Sequence, residues 1–300
     1  MNKPQVIYYS DELNDEFSGA NITPRIIDEN YKYIHKNIFW NASSFILQNV
    51  LSMPIKKLVA SVKFHIKFVG REKFKKYSNT GYFIYVNHTQ QFGDTFIPSL
   101  ANYPKRNYFI VNPENVSMKG MQTLVEMLGA IPIASNIKGM KNFMQAIDKI
   151  ILDNHSVTIY PEAHIWPYYT KIRPFKDVSF KYPVKLNVPT FCITNTYQKY
   201  GKHNDKIRIV SYVDGPFFPN PNLKPKEQQV ELRNLVYDTM VKRSENNNVE
   251  YIKYIKSNWQ NHVQKYVVYL YPTYIFQKAV HKCTFNFLTS FLDYQLCLSL

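Results

Sequence analysis

The chain has 300 residues, 45% hydrophobic and 16% aromatic, enough for one large domain or two small ones with a substantial core. Its net charge of +15 calls for an anionic partner: nucleic acid, a lipid surface or a phosphorylated metabolite. Nine glycines and no GxGxxG, Walker A, GxSxG or HExxH pattern argue against a phosphate-cradling loop, a serine elbow or a zincin helix, and three cysteines without metal-ligand spacing support neither a metal nor a disulfide framework.

Residues 1–30 are acidic and polar, with Asp11, Glu12, Asp15, Glu16, Asp28 and Glu29 against Lys3 and Arg25. They read as a tail or cover with little regular structure. Met1 to Ser10 lack the basic-then-apolar layout of a secretory signal. No apolar run reaches about 18 residues, so an ordinary membrane-spanning helix is not expected. The cytosol, or the cytosolic face of a membrane, is the expected location.

Residues 31–61 turn helical. Phe39, Ala42, Ile46, Val50 and Met53 recur at helical steps, and Pro54 closes or kinks that helix before a second stripe through Ile55, Leu58, Val59 and Val62. Eight Lys or Arg lie between Ile55 and Lys76 with one acid, Glu72. An amphipathic helical pair beside a basic cluster suits docking on a membrane surface with anionic lipids. A helix packed on its own domain with a solvated basic face fits equally well.

From about 62 to 215 the pattern alternates. Strands are predicted at Tyr82–Val86, Tyr108–Val111, Ala130–Ala134, Val157–Tyr160, Thr190–Thr194 and Ile207–Tyr212, with helices at 95–102, 115–128, 139–152 and 177–187. That alternation predicts an α/β domain with a mostly parallel central sheet flanked by helices, whose ligands bind beyond the C-terminal strand ends. Polar stretches fall at those ends. Residues 216–300 read as a C-terminal helical extension: a proline-rich loop, a charged helix from about Lys226 to Glu245, and an aromatic-rich remainder ending in the apolar stretch Phe285 to Leu300.

Two of the polar stretches carry chemistry. The first is Asn87-His88-Thr89, with Asp94 further on. An imidazole titrates near neutrality, and a carboxylate on one ring nitrogen frees the other to take a proton. Six residues of extended chain would hold the two side chains ~20 Å apart. Six residues of helix would separate them by ~9 Å along the axis, on different faces. They meet only if the chain turns between them, and Gly93 offers a turning point. Asp94 ahead of an apolar segment also fits a helix N-cap, with His88 a loop histidine. The second stretch runs from Tyr160-Pro161-Glu162-Ala163-His164 to Lys171-Ile172-Arg173-Pro174-Phe175-Lys176. A guanidinium there can hold a phosphate through parallel hydrogen bonds, and the lysines add point charge. A surface ion-pair network around Glu162 is the plainer alternative.

Taken together these stretches resemble the glycerolipid (lysophospholipid) acyltransferase family, the PlsC-like superfamily. Asn87-His88 with Asp94 is similar to its first motif, led in by Phe68-Val69-Gly70-Arg71-Glu72 and Gly81 to Val86. Gly129-Ala130-Ile131-Pro132-Ile133 resembles the second. Tyr160-Pro161-Glu162-Ala163 resembles the third, and Val188-Pro189-Thr190-Phe191-Cys192-Ile193 the fourth. The chain departs from the pattern in one extra residue between His88 and Asp94, and in Ala163 where the family has glycine. The resemblance implies an acyltransferase in which His88 and Asp94 are catalytic. Glu162, Arg173, Lys171, Lys176, Asn87 and Thr89 would then serve substrate binding. It implies no resident cofactor and no metal. The co-substrate would be acyl-CoA, acyl carrier protein or an acyl phosphate, and the acceptor a lysophospholipid or glycerol phosphate at the cytoplasmic face of the cell membrane. An inactive relative that binds lipid or an acyl carrier is the alternative. Nucleic acid is disfavoured as a partner, because no zinc-ligand spacing, RNP-like signature or isolated basic helix is present.

Overall fold

The computed structural model describes residues 5–17, 22–90, 93–203 and 206–257. Strand β1 (Gln5–Tyr9) stands apart from the main sheet. Short apolar runs between polar loops make the rest: β2 (Lys67–Val69), β3 (Tyr82–Val86), β4 (Asn107–Val111), β5 (Ala130–Pro132), β6 (Ser156–Ile159), β7 (Thr190–Tyr200) and β8 (Lys206–Phe217). Among the described residues they form one sheet in the order β2-β8-β7-β3-β6-β4-β5. Its neighbours are parallel except β7 and β8, which pair antiparallel. This is the mostly parallel α/β sheet that the alternation predicts.

Central β3 is buried along its whole length, and successive residues serve opposite faces. Phe83 and Tyr85 join a core with Phe143, Ile147 and Val236, whereas Ile84 and Val86 pack with Phe74, Ile97 and Phe191. Register places Tyr85 beside Ile159 of β6 and beside Cys192 of β7. The loops after β3 and β6 therefore leave the same edge of the sheet. That alignment brings two sequence-distant polar stretches together.

Helices cover the sheet. The N-terminal run joins α1 (Ile38–Phe45) to α2 (Ser52–Val62) through a π-helical segment, Ile46–Leu51, without a break. Proline lacks the N–H for the ordinary helical bond and crowds the preceding turn, and the wider π turn ahead of Pro54 absorbs both effects. The expected pair is thus one continuous helical stretch. Its faces are inverted relative to a soluble core helix. Ser44, Gln48, Ser52 and Lys56, at four-residue steps, point inward and are buried. Phe39 is 78% exposed and Val50 53%, with Ile38, Phe45, Ile46, Leu51, Leu58 and Val62 exposed alongside. Gln48 donates to the carbonyls of Asn107 and Leu128, so the polar face is used in docking the helix to the domain.

Helices α3 (Phe96–Ala101), α4 (Gln122–Met127), α5 (Ile137–Leu152), α6 (Lys181–Leu186) and α7 (Pro225–Ser244) complete the layers. Asn136 caps α5 by accepting from the Gly139 N–H at 2.7 Å. Leu232, Val236 and Met240 recur at helical steps on α7 and are buried against the sheet.

The first thirty residues, expected as a tail or cover with little regular structure, contribute one short strand and a buried side chain. Strand β1 pairs in parallel with β9 (Ile252–Lys256) in a separate two-stranded sheet, and Ile27 is fully buried beside Val116 and Val125. The C-terminal extension, expected as helical, carries strand β9 after α7. The signal for the β1–β9 pairing is non-local, which is why periodicity along the chain misses it. The apolar stretch 285–300 lies outside the described residues. No described helix is long and apolar enough to cross a membrane.

Candidate active site

The loop after β3 carries Asn87, His88, Thr89 and Gln90, and all four are held by hydrogen bonds to other elements. The Asn87 amide bridges the backbone of Asn195 on β7, donating at 3.1 Å and accepting at 2.8 Å. The Tyr197 hydroxyl bonds the Thr89 hydroxyl at 2.9 Å and donates to the Thr89 carbonyl at 3.1 Å, while the Gln90 amide donates to it at 2.9 Å. Asn87 and Thr89, expected as substrate contacts, thus have their side chains turned into the scaffold. Tyr197 was not singled out by the sequence, because a tyrosine on a β-rich strand reads as ordinary packing.

Between His88 and Asp94 the chain turns back, and the Asp94 N–H reaches the Gln90 carbonyl at 3.4 Å. The turn delivers Asp94 Oδ2 to within 2.6 Å of His88 Nδ1. The same oxygen accepts the Gln90 N–H at 3.2 Å. The five-residue interval between His88 and Asp94 thus lets the two side chains meet. The Asp94 carboxylate caps no helix, for the N-cap of α3 is Thr95. Asp94 is buried, and its Oδ1 finds no hydrogen-bond partner among the described residues. Burial pushes its carboxyl above the ordinary range, and the hydrogen bond and charge of His88 pull in the other direction. The imidazole is 15% exposed, and its Nε2 has no hydrogen bond among the described residues. Tyr160, at the end of β6, lays its ring 4.6 Å from the imidazole and donates its hydroxyl to the Asp94 carbonyl. Burial raises that phenol well above its usual value, which keeps it a donor.

The second loop meets the first edge to edge. The Trp166 N–H donates to the His88 carbonyl at 3.1 Å, and that of Tyr168 to the Thr89 carbonyl at 2.8 Å. Glu162 accepts the His88 backbone N–H at 2.8 Å and that of Arg173 at 2.9 Å. Arg173 is 1% exposed. Its guanidinium donates to the carbonyls of Glu162, His164 and Glu12 and lies 4.9 Å from the Trp166 ring. Glu162 and Arg173 thus shape the loop from inside, while Lys171 and Lys176 on the same loop are exposed. Ala163 sits at φ +64°, a conformation that suits glycine.

The acidic N-terminal segment closes over this loop. The Trp166 indole donates to the Asp15 carbonyl at 2.7 Å, and His164 Nδ1 lies 3.4 Å from Glu16. Tyr9, Phe17 and Tyr254 pack against Trp166 with ring centroids 4.8, 5.2 and 5.0 Å away.

A family model described as Acyltransferase matches residues 65–195, the span that holds both loops. This stretch is similar to that family. The solved structure of the 1-acyl-sn-glycerophosphate (LPA) acyltransferase PlsC from Thermotoga maritima is similar at 14% identity, covering 68% of this chain and 87% of that one with a TM-score of 0.46. Among curated proteins no relative matches. Within or beside the matched span the four stretches resembling the family motifs sit on one sheet. Three of them, at Asn87, Pro161 and Val188, lie on the adjacent strands β3, β6 and β7 or their loops, and the stretch from Gly129 forms β5 at the sheet edge.

Proposed function

We propose that this protein moves a fatty acyl group from an activated donor to a hydroxyl of a lysophospholipid or glycerol phosphate. The observation that carries the reading is the 2.6 Å contact between His88 Nδ1 and Asp94 Oδ2, with Nε2 left unbonded on a partly exposed ring. With Asp94 ionised, Nδ1–H donates to it and Nε2 is the basic nitrogen. Nε2 takes the proton of the acceptor hydroxyl as its oxygen attacks the acyl carbonyl carbon. The carbon–sulfur or carbon–oxygen bond to the donor then breaks, and the departing thiolate or phosphate leaves with the proton from the imidazolium. Asp94 holds the tautomer and stabilises the imidazolium in between. The step needs no covalent enzyme intermediate and no metal.

Lys171 and Lys176 are the cations available to an acceptor phosphate, and Glu162 and Arg173 hold the loop that presents them. The acceptor arrives from a membrane surface. The outward apolar face of α1 and α2 supports that route, because exposed apolar patches of this kind bind lipid or protein. Exposed Lys57, Lys67, Arg71, Lys75 and Lys76 follow in the chain, where they attract anionic headgroups. The protein then works as a peripheral enzyme on the cytoplasmic face. The test is purified chain with a panel of lysophospholipids and with acyl-CoA, acyl carrier protein and acyl phosphate donors, reading new ester by mass spectrometry. Ester formed by the wild type and not by His88→Ala is expected. Donor and acceptor bound without any product would leave a lipid-binding protein and sink the enzyme reading.

A further inference from the structure

A cavity lies at the other end of the sheet. Arg106 and His155 each directly precede a strand, β4 and β6, and the paired first residues Asn107 and Ser156 set them side by side. They line a cavity of about 310 Å³ whose further wall comes from α1 and the segment before it. His88 and Glu162 follow the opposite, C-terminal ends of β3 and β6, so this cavity is separate from the candidate active site.

We propose that this cavity binds a phosphate group, carried by an anionic lipid headgroup or free in solution, with Arg106 as its anchor. The guanidinium is bonded only to neutral side chains, Gln48 Oε1 at 2.5 Å and the Ser44 hydroxyl, and rests 4.9 Å from the Tyr108 ring. Among the described residues no carboxylate lies within ion-pairing distance of it. Both acids on the cavity wall are already engaged. Asp153 pairs with Lys149 at 2.9 Å, and Glu126 accepts the Tyr31 hydroxyl at 2.8 Å with Arg25 at 3.8 Å. Burial, then the charge of Arg106, push the His155 imidazole down to about 4, which leaves the ring neutral beside the guanidinium. An unpaired guanidinium in a small half-enclosed space is matched by two parallel bonds to a phosphate.

The lipid source follows from the wall. Trp40, Asn41 and Ser44 of α1 face the cavity, while Ile38 and Phe39 on the same turn are exposed. A headgroup under that turn would join the phosphate site to the apolar face. The inference does not rest on acyl transfer, since neither His88 nor Asp94 takes part.

The test is calorimetric titration of the full chain with inorganic phosphate, dihexanoyl phosphatidylglycerol and dihexanoyl phosphatidylcholine, the lipids below micelle formation. The expected result is binding of the anionic lipid, weakened about tenfold or more in Arg106→Gln, with the zwitterionic lipid much weaker. Inorganic phosphate binding with the same Arg106 dependence would identify free phosphate as the source. Should Arg106→Gln not fold, Lys149→Glu, a half-exposed change on the cavity wall, reads the same loss. Lys171→Ala reports binding beside His88. Affinity that ignores Arg106→Gln and Lys149→Glu, falls only in Lys171→Ala, or is equal for both lipids, overturns the proposal.

Discussion

The backbone N–H of His88 donates to the carboxylate of Glu162 at 2.8 Å, so the loop bearing the imidazole is held by the loop after β6. The other oxygen of Glu162 takes the Arg173 N–H. One buried carboxylate thus sets the spacing of both loops. Glu162→Gln keeps the shape but replaces one acceptor by an NH₂ group facing a backbone N–H. Stability should fall by about 1–3 kcal/mol in urea unfolding. Turnover should fall more than acceptor affinity. A variant as stable and active as the wild type would show that the carboxylate does not organise the site.

His88→Ala should lower turnover by roughly two to four powers of ten while circular dichroism stays unchanged. Asp94→Asn keeps the volume but no longer holds the Nδ1–H tautomer, and a large loss is expected there too. Equal activity of Asp94→Asn and wild type in the product assay would separate the acid from the chemistry.

Lys56 is 2% exposed and its Nζ reaches only the Ser99 hydroxyl, at 3.4 Å. Burial lowers its ammonium to about 8 from the ordinary 10.5. Below pH 8 the ammonium is charged in folded and unfolded chains alike, and the folded state carries the full desolvation cost. Between about 8 and 10.5 the unfolded chain binds more protons, so stability rises with pH across that window. Lys56→Met should therefore be more stable at pH 7, by up to about 3 kcal/mol, with the gain shrinking towards pH 10. Thermal unfolding at both pH values measures it, and a less stable variant at pH 7 would mean the ammonium is compensated.

Phe39 and Val50 project from the helical stretch into solvent. Changing either to Glu should leave the melting temperature within a degree or two and weaken sedimentation with anionic vesicles by about tenfold, as burial of one such side chain contributes about 1.5–3 kcal/mol. Unchanged vesicle binding together with a lowered melting temperature would mean that this face packs against protein.

Ala163 occupies the left-handed region at φ +64°. Ala163→Gly relieves that strain at some cost in unfolded-chain entropy, for a net gain of about 0.5–1 kcal/mol. Chemical denaturation would show it as a higher midpoint with the same slope.

The sequence by itself determined the α/β alternation, six strands of the main sheet and the residues worth watching, because short buried runs and helical stripes are local properties of a chain. It also marked Asn87-His88, Asp94 and the Pro161 loop. It did not determine whether His88 and Asp94 meet, because that depends on how Asn87, Thr89, Gln90 and Asp94 are held by β7 and Tyr160. Nor did it determine which way the helical stretch faces. A stripe records amphipathicity, and only the partners of Ser44, Gln48 and Lys56 turn the polar side inward. Arg173 read as a free cation until the fold drew its guanidinium onto three carbonyls. Strand β1 read as part of a tail or cover until β9 supplied its hydrogen bonds. In each case the deciding contact joins residues far apart in the chain, where no local pattern reaches.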